Sequence, residues 1–140
     1  MNIIKLLKPK CSVAYLTNDQ SVRQGLEKMK YHGYTAIPVI DSEGRYISTV
    51  TEGDFLWSIT EYESTNLKDL ERIPITNIIR MDWNPAIKIN APFEALISHI
   101  TERNFVPVVD DRDVFIGIIT RKEVMRKHFE SLLENKFNKN

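Results

Sequence analysis

Cysteine is nearly missing from this chain: Cys11 is the only one in 140 residues. A lone thiol excludes an internal disulfide and any metal site built from several thiolates of one chain, and it fits a reducing cytoplasm. Glycine is also sparse. The five glycines never fall into a phosphate loop or a dinucleotide-binding turn. Charge of one sign is not in excess: lysine plus arginine number 19, as do aspartate plus glutamate. Nothing in that balance draws the molecule to nucleic acid or to anionic lipid. Long apolar runs are absent too. Ile3-Ile4 and Leu6-Leu7 are far too short for a signal peptide or a membrane span. The expectation is a soluble cytoplasmic protein with neither nucleic acid nor membrane as a partner.

Clustered catalytic chemistry is equally scarce. His32, His99 and His128 lie far apart and form no His-Glu-x-x-His arrangement, so no metal is expected. Cys11 has no neighbouring base, and no carboxylate pair has a spacing that compels acid-base work. No catalytic residue is assigned, and the chain is not expected to be an enzyme.

What the chain does have is a repeat. The segment Ala36 to Leu56, "AIPVIDSEGRYISTVTEGDFL", lies without a gap over Phe105 to Met125, "FVPVVDDRDVFIGIITRKEVM". Both carry apolar-Pro-Val-apolar-Asp, a short polar turn, an apolar run and then Thr-x-x-acid. Upstream, "SVRQGLEKM" from Ser21 matches "APFEALISH" from Ala91 once one intervening residue is dropped. Duplication accounts for this better than chance.

The periodicities predict helix, strand, strand, helix in each copy. Val22, Leu26 and Met29 mark one helix, ending near Gly33, and Phe93, Leu96, Ile97 and Ile100 mark its counterpart, with Pro92 in its first turn. Strands are expected at Ala36 to Ile40 and Phe105 to Val109, with antiparallel neighbours at Tyr46 to Val50 and Val114 to Ile119. Each second strand runs into a helix starting after Thr51 or Thr120. A short helix from Ile75 to Arg80 and brief extended segments at Val13 to Leu16 and Ala86 to Ile89 complete the pattern. The last helix is expected to reach Asn135 and then fray. The boundaries are 1–64 for the first repeat, 65–74 for a connecting segment, 75–135 for the second repeat and 136–140 for the tail. The fold class is α/β (α+β): two pseudo-symmetric repeats packed as one disc-like module, each covering the other's incomplete surface.

The Thr-x-x-acid junctions have two readings. Thr51 with Asp54 and Thr120 with Glu123 could be capping boxes at helix starts. They could also meet a ligand, because a carboxylate suits ribose hydroxyls and a helix N-terminus suits phosphate. The copies differ here. Arg121 and Lys122 stand where the first copy has Glu52 and Gly53, and arginine is well shaped for phosphate.

On these motifs the chain resembles a tandem cystathionine-beta-synthase-type (CBS) domain pair, a Bateman module, from about Ile3 to Phe129. That resemblance implies an adenosine ligand between the copies, with Asp54 on the ribose, Thr51 near phosphate, and Tyr34, Thr35, Ala36 and Ile37 around the base. Over "GYTAIPVID", "LERI" and "VFIGIITRKEVM" the likeness is to small stand-alone CBS-pair proteins of Firmicutes that sense cyclic di-AMP. This implies cyclic di-AMP as ligand and adds Thr35, Ala36, Arg121 and Lys122 to the site. Two adenines call for a wide aromatic or apolar wall, for which Tyr34, Trp83 and Phe105 are candidates, and Val106, Thr120 and Glu123 complete the expected ligand-binding residues. Glu123 departs from the family's aspartate, which alters the reach to ribose. By the same resemblance the partner is a metabolic or stringent-response enzyme, and a homodimer is expected through helices bearing Trp57, Ile59, Met125 and Phe129. AMP, ADP or ATP sensing, and an adaptor with no physiological ligand, remain open alternatives.

Overall fold

A computed structural model describes residues 2–61 and 66–138. The first repeat comprises β2 (Leu16–Thr17), α1 (Val22–His32), β3 (Ala36–Ile40), β4 (Tyr46–Thr51) and α2 (Glu52–Glu61). The second comprises β5 (Ile87–Lys88), α4 (Phe93–Ile100), β6 (Phe105–Val109), β7 (Phe115–Thr120) and α5 (Arg121–Asn138). Before them stands β1 (Lys8–Pro9), and between them α3 (Leu67–Glu71). The central strand pairs are antiparallel, β3 with β4 and β6 with β7, as their short connecting turns require. The lead-in strands β2 and β5 add to the other edge in parallel.

Local chemistry explains the boundaries. Ser21 and Gln24 form a reciprocal capping box at the start of α1, and Gly33 closes it in the left-handed conformation. Each hairpin turn is stapled by the aspartate of the repeated motif. The Asp41 carboxylate accepts from the backbone amides of Glu43 and Arg45, and that of Asp110 from Arg112 and Val114. These two amides hold the Asp110 carboxyl below its ordinary pKa.

Strand alternation then separates two kinds of surface. Ile37, Val39 and Val50 join Val22, Met29 and Phe55 in one core, and Val106, Val108 and Ile119 join Leu96, Ile100 and Val124 in another. A third cluster, Val13, Ile40, Phe115 and Ile118, with Tyr15, Tyr46 and Phe105 against it, lies between the repeats.

Packing does not follow chain order. Ile3 and Leu6, in a 3₁₀ turn, are buried in the second repeat's core, and β1 pairs antiparallel with β7. Reciprocally, Leu70 of α3 and Ile75 are buried in the first repeat's core. Each fully buried aliphatic side chain is worth about 1.5–3 kcal/mol, so these exchanged segments tie the halves together.

Two helix expectations change. The helix expected from Ile75 to Arg80 is only a 3₁₀ turn, Ile75–Asn77. Thr76 and Asn77 are weak helix formers, and the chain must leave the turn to set the Arg80 carbonyl against Ser48 Oγ of β4, at 2.6 Å. In the other direction, α5 continues through residues 136–138. Residues 139–140 of the expected tail, and 62–65 around the connecting segment, lie outside the described residues.

Candidate functional site: the clefts between the repeats

Alternation along β3 and β6 leaves Ala36, Pro38 and Phe105 for the partner repeat and creates two clefts. One, of about 280 Å³, is lined by Lys8, Val13, Gly33, Tyr34, Thr35, Ala36, Pro38, Asn104, Phe105, Ile118 and Thr120. The other, of about 200 Å³, is lined by Thr35, Ala36, Thr51, Trp83, Asn84, Glu102, Arg103, Asn104 and Phe105. They meet at Thr35, Ala36, Asn104 and Phe105, and each ends at one Thr-x-x-acid junction. Of the expected site residues, Tyr34, Thr35, Ala36, Thr51, Trp83, Phe105 and Thr120 line the clefts. Ile37 and Val106 point the other way and are fully buried in the two cores.

The junctions themselves are unequal. At the first, the Thr51 amide and hydroxyl donate to Asp54 Oδ2 at 2.8 and 3.0 Å, and the Asp54 amide donates back to Thr51 Oγ1 at 3.3 Å. This is a complete reciprocal cap built with aspartate. The other oxygen, Oδ1, accepts from Arg80 Nε at 2.6 Å. At the second junction only half of the cap forms. The Glu123 amide donates to Thr120 Oγ1 at 3.1 Å, while the Glu123 carboxylate turns outward to Arg126, whose nearer nitrogen is at 2.6 Å. The hydrogen bond from Arg126 holds the Glu123 carboxyl below its ordinary pKa. Thr120 therefore keeps its hydroxyl proton free of any protein acceptor among the described residues.

Arg121 and Lys122 do not line either cleft. The Arg121 guanidinium donates to the Ile100 and Thr101 carbonyls at 2.8 and 3.2 Å, closing the C-terminus of α4, and Lys122 is exposed. The cation at the larger cleft is Lys8. Arg103 lines the smaller, and Arg80 joins Arg103 over its Trp83 wall. The guanidinium carbons of Arg80 and Arg103 stand 4.4 and 5.0 Å from the Trp83 ring centroid. Arg103 also donates twice to the Trp83 carbonyl.

Lys8, Asn84, Arg80 and Arg103 escaped sequence reasoning. Arg103 could have been found, because it precedes Asn104-Phe105 as Tyr34 falls before Ala36 in the aligned repeat. Lys8 could not, since only the exchange of the N-terminal segment carries it to β7. Asn84 is 98% buried by its 2% exposure, and its Nδ2 donates to Thr49 Oγ1 and the Phe105 carbonyl. Among the described residues no group of three or more His, Cys, Asp or Glu side chains could hold a metal ion, and no helix is long and apolar enough to cross a membrane.

Two duplicated α/β units with clefts that end at helix starts have the build of a binding module. The chain belongs to the CBS-domain family, whose pattern matches residues 6–61 and 65–130, and the pair forms a non-catalytic Bateman module. It is 30% identical over 123 residues to the Cyclic di-AMP receptor B of Bacillus subtilis (strain 168), covering 86% of this chain and 83% of that protein. In fold it is similar to a crystal structure of CbpB in complex with c-di-AMP, with a TM-score of 0.88 and 23% identity over 100% of this chain and 91% of the other. The CbpB protein of Listeria monocytogenes, also in complex with c-di-AMP, superposes with a TM-score of 0.82 and 22% identity, covering 94% and 98%.

Proposed function

We propose that this chain is a sensor that binds an adenine nucleotide, cyclic di-AMP above others, between its repeats and alters its affinity for a protein partner. The observation that carries this reading is the cleft ending at Thr120. It offers an aromatic and apolar wall from Tyr34, Phe105 and Pro38, an uncommitted threonine hydroxyl at the start of α5, and the ammonium-bearing Lys8. A base fits the first, and a phosphate fits the second and third. The similarity to the receptor from Bacillus subtilis supports the choice of a cyclic dinucleotide. Lys8 replaces Arg121 as the proposed phosphate partner. Trp83 and Thr51 belong to the smaller cleft.

A homodimer is part of the same reading. Leu56 and Trp57 on α2, and Met125, Phe129, Leu132 and Leu133 on α5, are exposed apolar side chains on helices related by the repeat. Such a pseudo-symmetric face suits a second copy of the chain, because an isologous interface needs a surface complementary to itself. The regulated partner, by resemblance, is a metabolic or stringent-response enzyme, engaged differently by the occupied and empty forms.

The test is calorimetric titration of nucleotide-free protein with cyclic di-AMP, AMP, ATP and S-adenosylmethionine. Tightest binding of cyclic di-AMP is expected. Preference for ATP rejects the cyclic dinucleotide, and no binding of any of the four rejects the sensor.

A further inference from the structure

The two clefts arise from one duplicated motif, yet only one of the two acidic residues pairs with a cation from outside its own helix. Asp54 is buried, at 7% exposure, and its carboxylate already has four donors. Oδ2 accepts from the Thr51 amide, the Thr51 hydroxyl and, at 3.4 Å, Arg80 Nη2, while Oδ1 accepts from Arg80 Nε. A carboxylate has about four lone-pair positions. Two ribose hydroxyls would need two of them, and at most one on Oδ1 is left.

Arg80 is held in place from three directions. Its guanidinium pairs with Asp54, the same group lies over the Trp83 ring, and its backbone carbonyl accepts from Ser48 Oγ. The duplicated position shows what the motif looks like without this arrangement. In the aligned repeats Ser48 corresponds to Gly117, and the carbonyl that lies against Gly117 is that of Lys8. Lys8 lines that cleft without an ion pair to Glu123 among the described residues, because Glu123 turns away to Arg126. The smaller cleft, at about 200 against 280 Å³, is lined by Thr51 and Trp83, the residues that contact this pair.

We infer that Arg80 is an internal gate: its ion pair with Asp54 takes the place of ribose in the Thr51-side cleft and restricts a mononucleotide to the Thr120-side cleft. The gate turns two potential sites into one. It rests on the nucleotide reading above for the identity of the ligand, but not for the geometry of the closed cleft.

AMP is the probe that tests it, because a mononucleotide can enter each cleft independently. Calorimetric stoichiometry is measured on the wild-type chain and on Arg80→Met, which keeps an apolar stem over Trp83 and removes the charge. Cyclic di-AMP is titrated alongside, and circular dichroism reports whether each variant is folded. One AMP per wild-type chain and two per Arg80→Met chain is the expected result, with a return to one in Arg80→Met combined with Asp54→Asn. One AMP in both proteins overturns the gate and leaves the sensor intact. Loss of AMP binding in folded Arg80→Met also overturns it, since Arg80 would then be a ligand contact. A wild type that binds neither nucleotide beside an Arg80→Met that binds one AMP overturns the sensor and supports the gate. If Arg80→Met fails to fold, Arg80→Lys answers the same question: a weaker, non-planar pairing admits a second AMP at least tenfold more weakly than the first, and a strict stoichiometry of one overturns the gate.

Discussion

A methyl group added to Gly117 would stand 2.2 Å from the carbonyl oxygen of Lys8. That contact explains a glycine in the middle of β7, where it otherwise weakens a strand. It lets β1 lie against β7 and so brings Lys8 to the larger cleft. Gly117→Ala should therefore destabilise the protein by about 1–3 kcal/mol, the usual cost of overpacking. Urea unfolding measures this. An unchanged midpoint would show that β1 is not held as described.

Tyr46 carries a second tie between the repeats. Its hydroxyl lies 2.6 Å from the Asn84 carbonyl oxygen and 2.7 Å from Thr49 Oγ1. Removing it with Phe leaves a buried carbonyl without its donor, at about 1–3 kcal/mol. Burial also raises the phenol's pKa well above the ordinary value. The native state then holds this proton more tightly than the unfolded chain, so stability is full below about pH 10 and falls as pH rises further. Ultraviolet titration should show one tyrosine fewer resisting ionisation in folded Tyr46→Phe than in the wild type.

Much of this architecture was legible because a duplicated sequence repeats its own punctuation. Ala36–Ile40 and Phe105–Val109 fall where the apolar runs place them, and Gly33 ends α1 as its position suggests. The clefts were legible in part. Thr51, Thr120 and Phe105 reach them by strand alternation, but that same alternation sends Ile37 and Val106 into the cores. Arg121 illustrates a different limit. A cation beside a helix start looks suited to phosphate, whereas the nearest acceptors are the final carbonyls of α4, which are adjacent only in three dimensions. The exchange of the segments around Ile3 and Ile75 has no local sequence signal at all.

The placement of Arg121 separates stability from recognition. Arg121→Ala removes hydrogen bonds from a charged donor to two helix-end carbonyls and should cost about 1–3 kcal/mol of stability. Cyclic di-AMP affinity of the folded variant should change less than threefold. A loss of affinity tenfold or greater in calorimetry, with the melting temperature unchanged, would restore Arg121 to the ligand site.

Phe105 is the residue to change for recognition, because it borders both clefts. A base stacked on an aromatic ring is worth about 1–3 kcal/mol, so Phe105→Ala should weaken cyclic di-AMP roughly 5- to 150-fold. Phe105→Tyr keeps the ring and should stay within a few-fold of the wild type. Because Phe105 also packs against Val13, Phe115 and Ile118, unfolding must be followed in parallel. Equal affinity for the Ala and Tyr variants would remove the aromatic wall from the binding reading.

The apolar face of α5 makes the last prediction the most direct. Phe129, Leu132, Leu133 and Phe137 are all half or more exposed, so substituting them removes little packing within the chain. Phe129→Glu with Leu133→Glu should leave the single-chain fold intact, as circular dichroism would report. In a dimer formed through this face, the same changes bury four carboxylates without partners, which is strongly unfavourable. Sedimentation should find a dimer for the wild type and a monomer for the variant. If cyclic di-AMP still binds the monomer with wild-type affinity, the clefts are complete within one chain; if both proteins sediment as monomers, this face serves something other than a second copy.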